Sequence, residues 1–248
     1  MKAWLAGLAM AFAGTGLARA EGHEGFVDSN LIAIFYHELG HAIIDILDLP
    51  VFGQEEDAAD VLSVLLIDSL FEEETAVAMV YDTAFGFLAD ADALEQDGEE
   101  VPFWDTHGPD LQRYYTLVCL FYGANPEERA DVAEDLDLPE ERAETCEEEF
   151  ELAYGSWGPV LDELAEAAPG ESLKVSLDAP EAEGAELTRQ ILSAEIEAMN
   201  EDFAFPQELT VHIDSCGEAN AFYDPTLQAI TMCTEFATHL TEIALGSD

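Results

Sequence analysis

His37, Glu38 and His41 stand together as His-Glu-Leu-Gly-His, a spacing with a direct chemical reading. Residues four apart on a helix lie one turn apart on the same face. Both imidazoles can therefore reach one metal ion while Glu38 sits beside them, next to a water on that ion. A catalytic zinc centre takes three protein ligands and keeps its fourth position for water. Glu56 follows after a short loop, at the start of a second helical pattern, and is the expected third ligand; Glu55 and Asp57 compete for that role in the same acidic run. Asp60 lies four residues after Glu56 on the same helical face. An acid there can accept a hydrogen bond from the far nitrogen of a ligand histidine, fixing its tautomer and raising its basicity. Glu56 is preferred because it has this partner.

A hydrolytic centre of this kind also needs a donor for the charge that develops on the attacked oxygen. Bases are so scarce in this chain that His107, Arg113, Tyr114 and Tyr115 stand out as candidates. His107 reads equally as an exposed loop residue, and Arg113 as a structural partner for Asp60 or another buried acid. His23, His212 and His239 lack ligand spacing and are expected to be structural or exposed.

His-Glu-x-x-His followed by Glu-x-x-x-Asp on the next helix resembles the gluzincin zinc peptidases, the thermolysin-like group. More closely, Phe35-Tyr36-His37-Glu38-Leu39-Gly40-His41-Ala42, with Leu49-Pro50 and Gly53-Gln54-Glu55-Glu56-Asp57-Ala58-Ala59-Asp60, is similar to a family of exported bacterial proteins of unknown function. Members of that family are classed as metallopeptidases from the motif alone. The likeness continues through Trp104-Asp105-Thr106-His107, Gln112-Arg113-Tyr114-Tyr115, Tyr122-Gly123 and Cys216 to Pro225. It implies that His37, His41 and Glu56 bind Zn²⁺ and that Glu38 is the general base. His107 and Arg113 are further catalytic candidates, and the substrate is a peptide or protein.

Thermolysin-like enzymes carry an Asn-Ala-Phe-aromatic stretch on the edge strand of the cleft, where it holds the substrate by strand addition. Asn220-Ala221-Phe222-Tyr223 is similar to it, which makes Asn220, Ala221 and Tyr223 substrate-binding candidates. In those enzymes the strand precedes the zinc helix, whereas here it follows far behind it. A circularly permuted zincin core is therefore expected, against the alternative of an ordinary stapled hairpin.

The elements that must position these residues are legible in the apolar spacing. Residues 29–47 form a helical pattern with Ser29 or Asn30 as cap and Pro50 beyond its end; it is the most hydrophobic stretch after the leader and should be buried. Further helices are expected over 55–70 and 73–94, and from Pro109 to Tyr122 with Gly123 just past the end. Two more should start at Asn125-Pro126 and at Leu138-Pro139, the last running toward Tyr154. Residues 172–177 and 209–213 alternate as strands, 185–199 is an amphipathic helix, 220–232 reads as a β-hairpin around Asp224-Pro225, and 235–245 closes as a helix. The fold class is thus α+β: a mainly helical zincin-like domain over 21–248, helical to about 168, with a small C-terminal β-sheet from about 170.

Composition narrows the function classes. Seven Lys and Arg stand against 55 Asp and Glu, a formal net charge of −48. That excludes nucleic acid as a partner, because phosphate neutralisation needs clustered bases. The hydrophobic fraction of 49% means that the acids coat an ordinary core instead of marking disorder. Asp97-Gly98-Glu99-Glu100 lacks the ligand alternation of an EF-hand, so calcium buffering has no motif behind it. Residues 1–20 read as a signal peptide, with Lys2, an apolar run from Leu5 to Phe12 and Ala18-Arg19-Ala20 at the cleavage site; no stable membrane anchor is expected. An exported protein, periplasmic or extracellular, follows. Cys119, Cys146, Cys216 and Cys233 are even in number without Cys-x-x-Cys spacing, as disulfides in an oxidising compartment would be. Three connectivities exist. Cys119–Cys146, joining neighbouring helical segments, and Cys216–Cys233, closing the hairpin, are favoured. A scaffold of this fold that binds metal without turnover is the alternative function; the presence of Glu38 favours the enzyme.

Overall fold

The computed structural model describes residues 23–246. The expected leader lies outside them. Among the described residues, no helix is long and apolar enough to cross a membrane.

The first two thirds are helical. The helix α1 spans His23–Ile46, α2 Glu55–Leu70, α3 Glu73–Gln96, α4 Asp110–Ala124, α5 Ala130–Asp135, α6 Glu140–Ala143 and α7 Cys146–Glu166. The remainder alternates: β1 Leu173–Leu177, α8 Ala185–Asp202, β2 Leu209–Asp214, β3 Ala221–Asp224, β4 Ala229–Cys233 and α9 Thr234–Leu245. The mainly helical α+β class is as the sequence led one to expect.

Helix α1 is the central element. Leu31, Phe35, Tyr36, Leu39 and Ala42 are all fully buried, because α2, α3, α8, α9 and strands β3 and β4 pack around it. Four apolar residues per two turns would suffice for one buried face; α1 carries more because it is covered on nearly every side.

The sheet order is β1-β2-β4-β3. Strands β1, β2 and β4 run parallel, with Val175 opposite Val211 and Val211 opposite Ile230, and α8 supplies the crossover that a parallel β1–β2 pair requires. Strand β3 returns antiparallel along β4, Ala221 opposite Met232, and forms one edge. In β2, Leu209, Val211 and Ile213 are buried while Thr210 and His212 between them are partly open, the period of two that one covered face produces. In β4, Ala229 and Cys233 are buried as well as Ile230 and Met232, and only Thr231 is partly open.

Several boundaries differ from expectation. Ser29 and Asn30 are not caps but lie well inside α1. Ser29 Oγ donates to Asp82 Oδ2 at 2.7 Å, and Asn30 Nδ2 donates to the Phe26 and Asp82 carbonyls, so their polarity serves packing against α3. Gly123 lies within α4 and does not end it: a Cβ there would stand 2.1 Å from the Cys146 carbonyl oxygen, so the glycine lets α4 and α7 touch. Asn125-Pro126 starts a turn, with Arg129 N–H bonded to the Asn125 carbonyl, and α5 begins only at Ala130. The helix expected from Leu138-Pro139 is broken after Ala143, and α7 then continues to Glu166. Both favoured disulfides are present, Cys119–Cys146 between α4 and α7 and Cys216–Cys233 between the β2–β3 segment and the end of β4.

Candidate metal centre

The centre lies where α1 and α2 approach most closely. A Cβ on Gly40 would stand 2.9 Å from Ala59 Cα and 3.1 Å from its Cβ, inside any ordinary carbon contact. Glycine at 40 therefore brings the helices close enough for the first turn of α2 to reach the histidines. His37 Nε2 and His41 Nε2 lie 3.3 Å apart, and Glu56 Oε2 lies 3.2 Å from the first and 3.1 Å from the second. Among the described residues these three form the group able to hold a metal ion. A tetrahedral ion with bonds of about 2.0–2.1 Å holds neighbouring donors about 3.3–3.4 Å apart, so the triangle fits that ion.

Proton placement agrees with this. His37 Nδ1 bonds Asp60 Oδ1 at 2.7 Å, and His41 Nδ1 bonds Glu55 Oε1 at 2.8 Å. Each carboxylate accepts an Nδ1 proton and leaves the Nε2 lone pair facing inward. Two lone pairs and a carboxylate oxygen cannot converge without a cation among them, either a proton or a metal ion. The same demand shows in the acidities. Burial works to lower the His37 pKa, but Asp60 and Glu56 outweigh it and raise it to about 9. His41 is raised for the same reason, with burial opposed by Glu56 and Glu55. Glu56 is held far below the usual carboxylate range: burial opposes this, and hydrogen bonds from His107, His37 and His41 override it.

The outer contacts correct two expectations. Arg113, a candidate oxyanion donor, instead forks onto Asp60, Nε to Oδ2 at 2.8 Å and Nη2 to Oδ1 at 2.7 Å. Asp60 therefore stays ionised despite burial, and the structural alternative for Arg113 describes its placement. The Tyr114 hydroxyl donates to the Leu136 carbonyl at 2.6 Å, so it serves α4 packing and not the centre. His107 does reach the site. Its Nε2 lies 2.9 Å from Glu56 Oε2 and its ring stacks on His37 at 5.7 Å between centroids, while nearly half its side chain remains exposed. Asp57, a rival ligand, is exposed. His212 pairs with Asp178 and His239 with Asp90, away from the triangle.

Glu38 is buried at 4% exposure. Burial raises its carboxyl above the ordinary value, with His37 and His41 opposing. It borders two cavities that also share His107 and Ala221. The outer, about 590 Å³, opens past Asp45, Asp48 and Glu55 to Phe222 and Tyr223. The inner, about 280 Å³, reaches past His37 and Asn220. Edge strand β3 thus lines the same cleft as the histidine helix. Asn220 accepts the Ala221 N–H on Oδ1 and the Cys233 N–H on its carbonyl. The Tyr223 hydroxyl donates to Asp45 Oδ2 at 2.7 Å, tying β3 to α1.

The sequence reading missed two contributors. Glu55 reads from sequence only as a rival ligand, and its bond to His41 Nδ1 is not legible there. Asp45 was not singled out, although it stands four residues after His41 and so on the same helical face.

Comparison with known proteins adds one finding. The model of a family described as "Putative metallopeptidase" matches residues 5–161 and 181–247, most of the chain. No curated protein and no solved structure matches.

Proposed function

Because the chain belongs to this metallopeptidase family, we propose that it is a zinc-dependent, gluzincin-like peptidase in which His37, His41 and Glu56 hold the metal and Glu38 is the general base. The observation that carries this reading is the donor triangle, 3.1–3.3 Å on each edge, beside a buried carboxylate in a cleft with a strand at its rim. Zinc bound there supplies a Lewis acid and lowers the pKa of a coordinated water.

The remaining work falls to the protein. Glu38, its carboxyl already raised by burial, accepts the proton of the attacking water and passes it to the leaving amine as the C–N bond breaks. Asp60 and Glu55 hold the ligand histidines in the Nδ1–H tautomer, and Arg113 holds Asp60. His107 is the donor for the oxyanion, since its ring reaches the centre and is exposed enough to turn toward substrate. The peptide lies along β3 and adds as a further strand, with Asn220 and Ala221 at the inner cavity. Tyr223 acts through Asp45 to keep that strand against α1. The antiparallel edge strand beside the histidine helix supports a zincin core permuted so that its cleft strand follows the histidine helix. The two disulfides fit export to an oxidising compartment.

The test is metal content of the purified protein, wild type beside Glu56→Ala, followed by cleavage of a peptide library with Glu38→Gln as control. The expected result is about one zinc per chain, weakened by Glu56→Ala, with cleavage that Glu38→Gln abolishes. Zinc without cleavage would return the protein to the class of binding scaffolds.

A further inference from the structure

The inner cavity is more than a continuation of the cleft. Apolar walls from α1, α3, α4 and α9, among them Ile34, Phe87, Leu117 and Phe236, lead to polar groups that the proposed mechanism does not use. Asp110, the first residue of α4, is half-buried there; its carboxylate is bonded by its own backbone N–H and feels the charge of Arg113. Asp90 of α3 lines the same space and accepts from His239 Nε2 on one oxygen, at 2.9 Å. Thr83 also lines it, at 6% exposure, and its buried hydroxyl has no hydrogen-bond partner among the described residues. Arg113 contributes a cation, but its Nε and Nη2 are committed to Asp60 and its charge is matched there.

What can fill this space is limited by those groups. About 150 Å³ suffices for a benzene-sized guest, so a cavity of about 280 Å³ takes one long side chain. An apolar one would leave Asp110 with only its own backbone N–H and the nearby charge of Arg113, and would seal the Thr83 hydroxyl in with no partner among the described residues, which is costly. An acidic one would meet Asp110, Asp90 and Glu38 as like charges. A lysine or arginine lays its methylenes along the apolar wall and delivers N–H donors to the acids and the Thr83 hydroxyl.

We infer that the inner cavity is a specificity pocket for a lysine or arginine side chain of the substrate next to the cleaved bond, with Asp110, Asp90 and Thr83 as its recognition groups. This rests on the peptidase reading above, and deepens it by naming the substrate class. Burial raises the Asp110 carboxyl above its ordinary value, with Asp90 adding to it against Arg113, and a cationic guest would relieve that strain. The net charge of −48 also favours encounter with basic peptides.

The experiment pairs two peptides that differ only in lysine or norleucine, placed in turn on either side of the bond cut by the zinc-loaded enzyme. Cleavage is followed on the wild type, Asp110→Asn and Thr83→Val, and binding of the same peptides by calorimetry on Glu38→Gln with and without Asp110→Asn. The expected result is a lysine preference of about tenfold or more in both kcat/KM and affinity, which Asp110→Asn collapses toward unity. Thr83→Val, nearly the same shape and lacking the unpartnered hydroxyl, should keep its melting temperature and weaken lysine binding several-fold. Equal treatment of norleucine, or a preference that survives Asp110→Asn, overturns the pocket while leaving the peptidase standing. Asp110-dependent lysine binding without any cleavage supports the pocket and overturns the peptidase reading instead.

Discussion

Arg113 and Asp60 meet fork to carboxylate, at 2.8 and 2.7 Å, with both side chains largely buried. The same Asp60 oxygen that accepts Nη2 also accepts the His37 Nδ1 proton. The guanidinium therefore keeps charged the acid that orients a proposed metal ligand. Arg113→Met should lower zinc affinity about 10–100-fold, measured by competition with a chromophoric chelator. Arg113→Lys should recover only part of this, because an ammonium cannot reproduce the fork. Wild-type affinity in Arg113→Met would show that Asp60 holds His37 unaided.

Gly40 sets the distance between α1 and α2. Gly40→Ala places a methyl 2.9 Å from the Ala59 backbone, and overpacking of this kind costs about 1–3 kcal/mol. Calorimetric melting should fall in both zinc and chelator, and zinc affinity should fall with it as Glu56 is pushed outward. A variant as stable and as well metallated as wild type would mean that the helices separate freely.

Chelator-treated protein should respond to pH through His37. Its folded value, about 9, lies above the unfolded value of 6.5, so the proton is bound more tightly in the native state. The stability this confers is complete below about pH 6.5 and is lost as the pH rises through about 9. Urea midpoints should fall across that window. Because the same proton competes with the metal, zinc affinity should rise across it. Midpoints that stay level would contradict the raised value.

The bond between Cys119 and Cys146 closes a separation of 27 residues. Loop-closure entropy for that length gives roughly 3–4 kcal/mol. Replacing both cysteines by alanine should lower guanidinium stability by about that amount, and a loss under about 1 kcal/mol would place the stabilisation in the packing around Gly123.

The centre was legible because its parts are local. His37, His41, Glu56 and Asp60 occupy two consecutive helices, and helical spacing alone puts each pair on one face of its own helix. Helix existence was equally plain from apolar periodicity. Caps were not: Ser29 and Asn30 have the right chemistry for an N-cap, but their partner Asp82 lies on another helix, and tertiary contacts leave no mark on local sequence. Arg113 illustrates the same limit. Its rarity marked it as important, yet whether it faced substrate or Asp60 depended on how α4 crosses α2. Gly123 looked like a helix end because glycine usually is one; here a close approach of two helices required it.

The bond from Tyr223 to Asp45 spans 178 residues of chain, while His37 and Glu56 are separated by 19. Closing the longer loop costs about 2 kcal/mol more in chain entropy, and it encloses every element from α2 to β2. The α1–α2 hairpin can assemble as soon as those few dozen residues are free of the ribosome. Strand β3, which completes the cleft, emerges only after α3 to α8, β1 and β2 have followed that hairpin. Chain order thus separates two events: the two histidines and Glu56 can come together early, and the β3 wall of the cleft is added only after the helices and strands between them have been made.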